Sequence, residues 1–209
     1  MRQYPSIPPA VHHIGQPCVA FYKLDGSNLR FEWSKKAGWN KFGTRERLFD
    51  QTDPVFGTAI EIFKQTYAED LEQVFKKEKA LRNCQSIIVF AEFVGERSFA
   101  GQHREEDTKE VVLFDVNPHK QGILGPREFL DYFGHLKTAK VLYQGNMTPG
   151  FINEVKESKL SGLNDEKVHE GVICKGGSGH KVWMCKIKTT AYREKLKETY
   201  ADSWQQYWE

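Results

Sequence analysis

The sequence predicts a single α+β domain of mainly antiparallel sheets flanked by helices. Three observations lead there: short segments rich in β-branched and aromatic residues, segments with helical periodicity, and no regular alternation between the two. A chain of 209 residues is long enough to bury a core without disulfides or metals. Composition does not shift along the chain, so we expect one domain over residues 1–209.

The first elements are two strands. The stretch CVAFYKLDG at 18–26 is rich in β-branched and aromatic residues, and NLRFEWSKK at 28–36 alternates apolar with polar side chains. An Asp-Gly pair between such stretches is typical of a tight turn. We therefore expect a hairpin that turns at Asp25-Gly26.

A helical segment follows at 52–81. Its apolar residues recur at helical spacing, which predicts one long amphipathic helix or two shorter ones. Asp53 is the expected N-cap and Pro54 the expected first helical residue, because these residue types favour those positions.

The second half of the chain mixes strands and helices. Two apolar runs at 86–95 and 110–116 predict core strands joined by an exposed loop. Five further elements are predicted in order, a short helix, a strand, a helix, a hairpin with a glycine-rich turn and a closing helix, at 125–134, 140–145, 148–160, 169–189 and 191–209.

Composition narrows the class of protein. The chain has 39% hydrophobic and 28% charged residues, and it lacks an apolar run long enough for a secretion signal or a membrane span. The four cysteines lack zinc-type spacing, so we expect reduced thiols in a cytoplasmic protein. A net charge of +2 does not by itself indicate a polyanion partner, and the histidines show no metal-ligand spacing.

Lys23 raises the question of function, because a buried amine is costly at the end of an apolar strand. The K-x-D-G pattern at 23–26 is weak by itself. A lysine that reaches water from a strand end accounts for it. The alternative is a lysine whose amine does chemistry.

The predicted C-terminal hairpin favours the chemical alternative. Side chains two apart on a strand share a face, so Lys186 and Lys188 point the same way, and so do Glu170 and Val172. With a turn near 177–178, we expect both pairs on one sheet face, which suits a nucleotide's phosphates and base. An edge strand protected by lysines accounts for the lysines but not for the acid.

Six motifs then occur in a fixed order along the chain: KLDGSN at 23–28, FGTR at 42–45, VFAEFVGER at 89–97, VVLFDV at 111–116, HEGVICKG at 169–176 and WMCKIKT at 183–189. They resemble the motifs of covalent nucleotidyltransferases, which include ATP-dependent RNA and DNA ligases and mRNA-capping guanylyltransferases. The closest likeness is to phage-type RNA ligases, which would place the protein in the host cytoplasm if it is viral. The resemblance implies the nucleotidyltransferase (adenylation) fold.

The resemblance implies an ATP-dependent RNA ligase that joins 5′-phosphate and 3′-hydroxyl ends through lysyl-AMP and an adenylylated polynucleotide. Lys23 would be the nucleophile, with Lys186 and Lys188 at the phosphates. A lysine amine with its ordinary pKa of about 10.4 is mostly protonated at neutral pH. The role therefore requires burial and positive charge near the amine.

The resemblance also implies a nucleotide site. Besides the three lysines, the residues expected to bind ATP are Gly26, Asn28, Arg45, Glu92, Phe114 and Val172. Phe114 would stack on the adenine and Val172 would cover its other face, although Phe114 taken alone suits a core position. Glu170 and Glu92 would hold a divalent ion, Mg²⁺ or Mn²⁺. The role of Asp25 stays open.

The chain departs from many members of this superfamily after Lys188. About twenty residues follow it, too few for a C-terminal OB domain, so we expect none and a protein partner could replace it. RNA ends are the expected substrate. The alternatives are a minimal DNA ligase, a capping-type guanylyltransferase, or a nucleotide- or RNA-binding module without turnover.

Overall fold

The structure of the protein is a computed structural model that describes residues 1–208, which form two compact units. We call them the Lys23 unit, made of Ser6–Asp25, Ala139–Gly177 and the chain from Trp183 onward, and the Asn28 unit, made of Met1–Pro5, Gly26–Thr138 and Ser178–Val182. Each unit holds one sheet whose strands pair antiparallel, together with helices, so the predicted α+β class is confirmed. A single catalytic domain over 1–209 stays a prediction.

The Asn28 unit contains a five-stranded sheet. In spatial order its strands are β4 (Leu48–Phe49), β3 (Gly38–Thr44), β2 (Ser27–Ser34), β5 (Ser86–Gly95) and β6 (Lys109–Pro118). Because side chains alternate across a strand, one face carries buried apolar residues such as Leu29 and Phe31. The opposite face carries polar residues such as Asn28.

Helices pack on the apolar face of this sheet. α1 (Gly57–Phe63) and α2 (Glu69–Lys77) are joined by a π-helical turn at Lys64–Ala68, so the predicted segment forms one continuous helical run. The rings of Phe63 and Phe31 stack with centroids 3.8 Å apart, which fixes the run against β2.

The predicted start of this helical run is wrong. Asp53 accepts hydrogen bonds from the two backbone N–H groups that follow Pro54, at 3.0 and 2.9 Å, as an N-cap would. α1 nevertheless begins only at Gly57, because the Asp53 carboxylate closes a separate turn before the helix. Pro54 lies in that turn and is not the first helical residue.

The later elements of the Asn28 unit agree with the sequence. β5 and β6 occupy the two predicted apolar runs. The short predicted helix is α3 (Pro126–Phe133), which starts with its proline and ends before Gly134.

The Lys23 unit contains a four-stranded sheet. In spatial order its strands are β7 (Val141–Asn146), β1 (Pro17–Lys23), β8 (Gly171–Gly176) and β9 (Trp183–Lys188). α4 (Pro149–Lys156) closes one face, where its Phe151 and Val155 form a buried core with strand residues that include Ala20 and Val172. We call this the α4 core.

The predicted hairpin at Asp25-Gly26 is wrong. β1 pairs with β7 and β8, whereas β2 pairs with β3 and β5, so the two strands belong to different sheets. A Cβ on Gly26 would lie 2.3 Å from the carbonyl oxygen of Phe93. Glycine is therefore needed here for the close approach to β5, and it does not form a two-residue turn.

The predicted C-terminal hairpin is confirmed, with a different turn. Gly176 pairs with Trp183, so the turn is centred midway between them, two residues beyond the expected centre. The predicted closing helix is α5 (Thr190–Tyr200), followed by a 3-10 helix at Ala201–Tyr207. The last residue of that prediction, Glu209, lies outside the described residues.

The cysteines agree with the prediction of reduced thiols, since all four are free and buried. Within residues 1–208 no helix has the length and apolar character that crossing a membrane requires.

Candidate active-site residues

Three predicted lysines lie on one face of the sheet in the Lys23 unit. Lys23 ends β1 in register with Gly171 of β8. In β9, Lys188 is also opposite Gly171, and Lys186 is opposite Ile173. Because paired residues of antiparallel strands share a face, all three lysines lie on the face opposite the α4 core.

Glu170 binds two of these lysines. Its Oε2 accepts a hydrogen bond from the Lys23 Nζ at 2.7 Å, and its Oε1 lies 2.9 Å from the Lys188 Nζ. The exposed fraction is 5% for the Glu170 side chain, 4% for Lys188 and 20% for Lys23. One negative charge therefore faces two positive charges where water screens them poorly.

The Lys188 amine lies in an unusual environment. Burial lowers the pKa of Lys188, because the charged form loses its hydration. The carboxylate of Glu170 opposes this effect and the charge of Lys23 reinforces it. The rings of Tyr192 and Trp208 lie 5.6 and 5.0 Å from the amine, as cation–π contacts. Lys188 therefore gives up a proton more readily than a surface lysine does.

Gly171 permits this arrangement. Its φ is +141°, and a Cβ at this position would lie 2.0 Å from the carbonyl oxygen of Ile187. Only glycine combines that backbone conformation with so close an approach to β9. The conformation carries Glu170 to the two lysines.

The prediction that Val172 shares a face with the lysines of β9 is wrong. Val172 pairs with Ile187 and is fully buried in the α4 core. Glu170 precedes β8, and the backbone of Gly171 turns it toward the lysines, so alternation counted from Glu170 fails. Ile173 is the partly exposed β-branched residue on the lysine face.

In the Asn28 unit, two predicted ligands are cross-strand neighbours. Asn28 of β2 pairs directly with Glu92 of β5, so their side chains share a face. Both are partly exposed, which lowers the cost of a carboxylate in an otherwise apolar strand. Arg45 lies just beyond β3 and is exposed.

A β-bulge sets the position of Phe114. β5 and β6 pair Phe90 with Asp115 and Ala91 with Leu113, which leaves Phe114 as the extra residue. Its ring stacks on that of Phe90, with centroids 6.4 Å apart, and stays partly exposed. Phe114 therefore lies at the margin of the core, which favours the stacking alternative over the core alternative.

Sequence reasoning misses Tyr4, which lies beside Phe114. The Tyr4 ring meets the rings of Phe90 and Phe114 edge-on, with centroids 4.9 and 5.1 Å away. Its hydroxyl donates a hydrogen bond to the Asp115 Oδ2 at 2.5 Å. No sequence signal marks Tyr4, whereas an acid inside an apolar strand could have drawn attention to Asp115.

The charged groups that act on the Tyr4 hydroxyl include two predicted ATP ligands, Glu92 and Arg45. Burial raises the pKa of Tyr4 well above its ordinary value, the charges of Asp115 and Glu92 raise it further, and Arg45 opposes them. Glu92 and Arg45 are therefore close enough to the Tyr4 hydroxyl to act on it electrostatically. Tyr4, Glu92, Arg45 and Phe114 thus form one neighbourhood in the Asn28 unit.

A metal centre built by the protein alone is absent from residues 1–208, where no three His, Cys, Asp or Glu side chains are arranged to hold an ion. Both oxygens of Glu170 are engaged by lysines. This arrangement is compatible with an ion held mainly by substrate phosphates, as Mg²⁺ often is, with one or two carboxylates in addition.

Solved structures with a similar fold include several of the Naegleria gruberi RNA ligase. A mutant in its apo form has a TM-score of 0.68 at 17% identity, over 95% of this chain and 58% of that chain. A mutant with ATP and Mn has a TM-score of 0.63 at 18% identity, over 91% of this chain and 57% of that one. A mutant with AMP and Mn has a TM-score of 0.63 at 17% identity, over 93% and 58%.

The likeness to these structures shows a shared fold, and this chain spans about 58% of the length of the first of them. No curated protein sequence matches the chain. The model of the RNA ligase family matches residues 16–188, from the start of the strand that carries Lys23 to Lys188 itself. Since this match covers most of the chain, the chain belongs to the RNA ligase family.

Proposed function

We propose that this chain is an ATP-dependent RNA ligase that joins 5′-phosphate and 3′-hydroxyl ends. The observation that carries the proposal is the ion-paired cluster of Lys23, Glu170 and Lys188, with the Glu170 oxygens 2.7 and 2.9 Å from the two amines. A buried cluster with one more positive than negative charge suits an amine that must lose a proton and accept a phosphate.

In the first step, the Lys23 Nζ attacks the α-phosphorus of ATP. A phosphorus–nitrogen bond forms, the bond between the α-phosphorus and the bridging oxygen breaks, and pyrophosphate leaves. The ammonium proton of Lys23 goes to solvent or to a neighbouring group. Lys186 and Lys188 share a face with Lys23, and their positive charges stabilise the negative charge that develops on the phosphates.

The second and third steps use the same residues. The 5′-phosphate of RNA attacks the phosphorus of lysyl-AMP, which forms a 5′-5′ phosphoanhydride and frees Lys23. The 3′-hydroxyl then attacks the 5′-phosphate, forms the phosphodiester and releases AMP. Lys188 changes protonation state more easily than an exposed lysine, because burial lowers its pKa.

Residues of the Asn28 unit recognise the nucleotide in this proposal. Asn28, Arg45 and Glu92 bind the ribose and phosphates, and Gly26 allows the close backbone approach at the start of β2. The partly exposed ring of Phe114 stacks on the adenine. On the lysine face, Ile173 is the apolar residue available to contact a base.

A divalent ion, Mg²⁺ or Mn²⁺, accompanies ATP in the proposal, and similar structures of the Naegleria enzyme contain Mn with ATP or AMP. The carboxylates that would bind it are those of Glu92 and Glu170, which would first have to leave their present partners. Such an ion would neutralise phosphate charge. The RNA partner follows from the family, while DNA ends and a helper protein are open alternatives.

End-joining assays test the proposal. The protein is incubated with Mg²⁺ or Mn²⁺, ATP or GTP, and labelled RNA or DNA with 5′-phosphate ends, as nicked duplex or single strand. We expect ATP-dependent sealing of RNA by the wild type and none by Lys23→Ala. Sealing of DNA alone would instead indicate a minimal DNA ligase, and a GTP adduct without sealing would indicate a capping-type guanylyltransferase. ATP binding without any product would indicate a nucleotide-binding module without turnover.

A further inference from the structure

A hydrogen-bonded network adjoins the ion-paired cluster of Lys23, Glu170 and Lys188. Its members adjoin the cluster in sequence: Tyr22 precedes Lys23, His169 precedes Glu170, and Thr189 follows Lys188. Neighbouring residues on a strand point to opposite faces, so Tyr22 leaves β1 on the side opposite Lys23.

His169 is the centre of this network. Its Nδ1 is 2.9 Å from the Tyr22 hydroxyl, and its Nε2 is 2.7 Å from the Asp165 Oδ1. With the proton on Nε2, the ring donates to Asp165 and accepts from Tyr22, so both nitrogens are satisfied. The residue is 8% exposed, while Asp165 lies at the surface.

Thr189 holds the backbone at Glu170 through two consecutive carbonyl groups. Its hydroxyl donates to the His169 carbonyl at 2.6 Å, and its backbone N–H donates to the Glu170 carbonyl at 3.0 Å. Gly171 on the other side has no space for a side chain. The backbone that carries Glu170 is therefore held by Thr189, directly after β9, and the His169 side chain ties it to β1.

We propose that His169 is a positioning residue for Glu170: by bridging Tyr22 and Asp165, it sets the carboxylate between the amines of Lys23 and Lys188. Its importance for catalysis rests on the proposed function, whereas its effect on the cluster does not. Orientation by such hydrogen bonds matters because displacements of about 1 Å can cost on the order of a hundredfold in rate.

Single-turnover formation of lysyl-AMP is the first test. His169→Ala should lower the rate constant at least about tenfold and leave the ATP concentration for half-maximal rate within about twofold. His169→Gln keeps a donor and an acceptor and should recover part of the rate. Tyr22→Phe removes one hydroxyl and should give a smaller loss, while exposed His135→Ala should behave as wild type.

The reactivity of Lys23 toward an acetylating reagent, without ATP, is the second test. The ion pair at 2.7 Å holds the Lys23 amine against Glu170, so His169→Ala and Glu170→Gln, which displace or remove that partner, should both free the amine and speed Lys23 acetylation several-fold or more, whereas His135→Ala should not. Melting curves identify any variant that fails to fold.

Three outcomes would overturn either the positioning role of His169 or the proposed function. Folded His169→Ala with wild-type Lys23 acetylation overturns the inference. Equal defects in His169→Ala and His169→Gln that follow their melting temperatures indicate a structural role and overturn it as well. If wild type never forms lysyl-AMP but His169→Ala still changes Lys23 acetylation, the positioning role stands and the proposed function fails.

Discussion

The two units present their polar groups in different ways. In the Lys23 unit, Glu170 and Lys188 are charged and almost fully buried, and each compensates the other. In the Asn28 unit, Asn28, Glu92 and Phe114 are partly exposed, and Tyr4 contributes a neutral hydroxyl and an aromatic ring.

This difference suits two separate tasks of the proposed ligase. Buried, unequal charges change proton affinity, which nucleophilic chemistry requires. Partly exposed aromatic and polar side chains bind a ligand but perturb no amine. We therefore expect changes in the Lys23 unit to affect stability and the chemical step, and changes in the Asn28 unit to affect mainly nucleotide affinity.

Removal of the Glu170 carboxylate should have the largest effect. Glu170→Ala leaves two amines without their counter-charge in a poorly hydrated place, and breaking a buried ion pair costs about 3–5 kcal/mol. The free energy of unfolding, from urea denaturation, measures the loss. Glu194→Ala is the matched control, because Glu194 pairs with Arg193 and Lys197 at the surface and should leave stability nearly unchanged.

Equal stability of the Glu170 and Glu194 variants would contradict the contrast between the units. It would mean that water reaches the ion-paired cluster of Lys23, Glu170 and Lys188 in solution. Burial would then no longer account for the lowered pKa of Lys188.

Alanine at Gly171 should have the next largest effect. A methyl group there would lie 2.0 Å from a β9 carbonyl, at a φ of +141°, so β8 must separate from β9. Gly122→Ala is the control, since Gly122 also has a positive φ, of +85°, but nothing within 4 Å of a Cβ. We expect about 1 kcal/mol for the control and clearly more for Gly171→Ala, by urea denaturation. Equal costs would refute the crowding argument.

Substitution of Phe114 should change binding more than stability. Phe114→Leu keeps an apolar side chain but removes the aromatic face, and stacking contributes about 0.5–1.5 kcal/mol. The ATP concentration for half-maximal lysyl-AMP formation should rise about three- to tenfold, with a nearly unchanged maximal rate. If the ATP dependence is unchanged, Phe114 is a core residue and does not stack on the adenine.

Alkaline pH should also destabilise the protein, through the Asn28 unit. Tyr67 donates hydrogen bonds to the carbonyls of Val111 and Lys137 at 2.7 and 2.8 Å, and burial raises the pKa of Tyr67 to about 12. The raised value means that the unfolded tyrosine ionises first, so stability is complete below the ordinary value of 10.0 and is lost toward about 12. Tyr67→Phe should flatten the fall in urea-denaturation free energy over that range. Parallel curves for the two proteins would contradict it.

Local sequence patterns were sufficient for most elements and for the charged cluster. Continuous apolar runs located the strands β5 and β6, because both faces of these strands are largely buried, and the proline and glycine at its two ends located α3. The ordered motifs identified Lys23, Glu170 and Lys188, which the fold brings within hydrogen-bonding distance.

The wrong and missed predictions depend on long-range contacts and on one unusual backbone conformation, which local sequence patterns do not encode. The Asp25-Gly26 pair is typical of a hairpin, but β1 pairs with strands more than a hundred residues away along the chain. Val172 was placed by strict alternation, which the backbone of Gly171 interrupts. Tyr4 bonds a partner 111 residues away, and His169 bonds Tyr22, 147 residues away, besides the nearby Asp165, so no local pattern reveals these long-range contacts.

The mass of the intact protein after incubation with ATP and Mg²⁺ is the most direct test of Lys23 as the nucleophile. The wild type should gain the mass of one AMP, peptide mapping should find it on Lys23, and adding pyrophosphate should remove it. Lys23→Ala should gain none, while Lys35→Ala, at an exposed lysine, should gain it as the wild type does. A wild type that never gains AMP, or a Lys23→Ala protein that gains it equally well, would contradict the account.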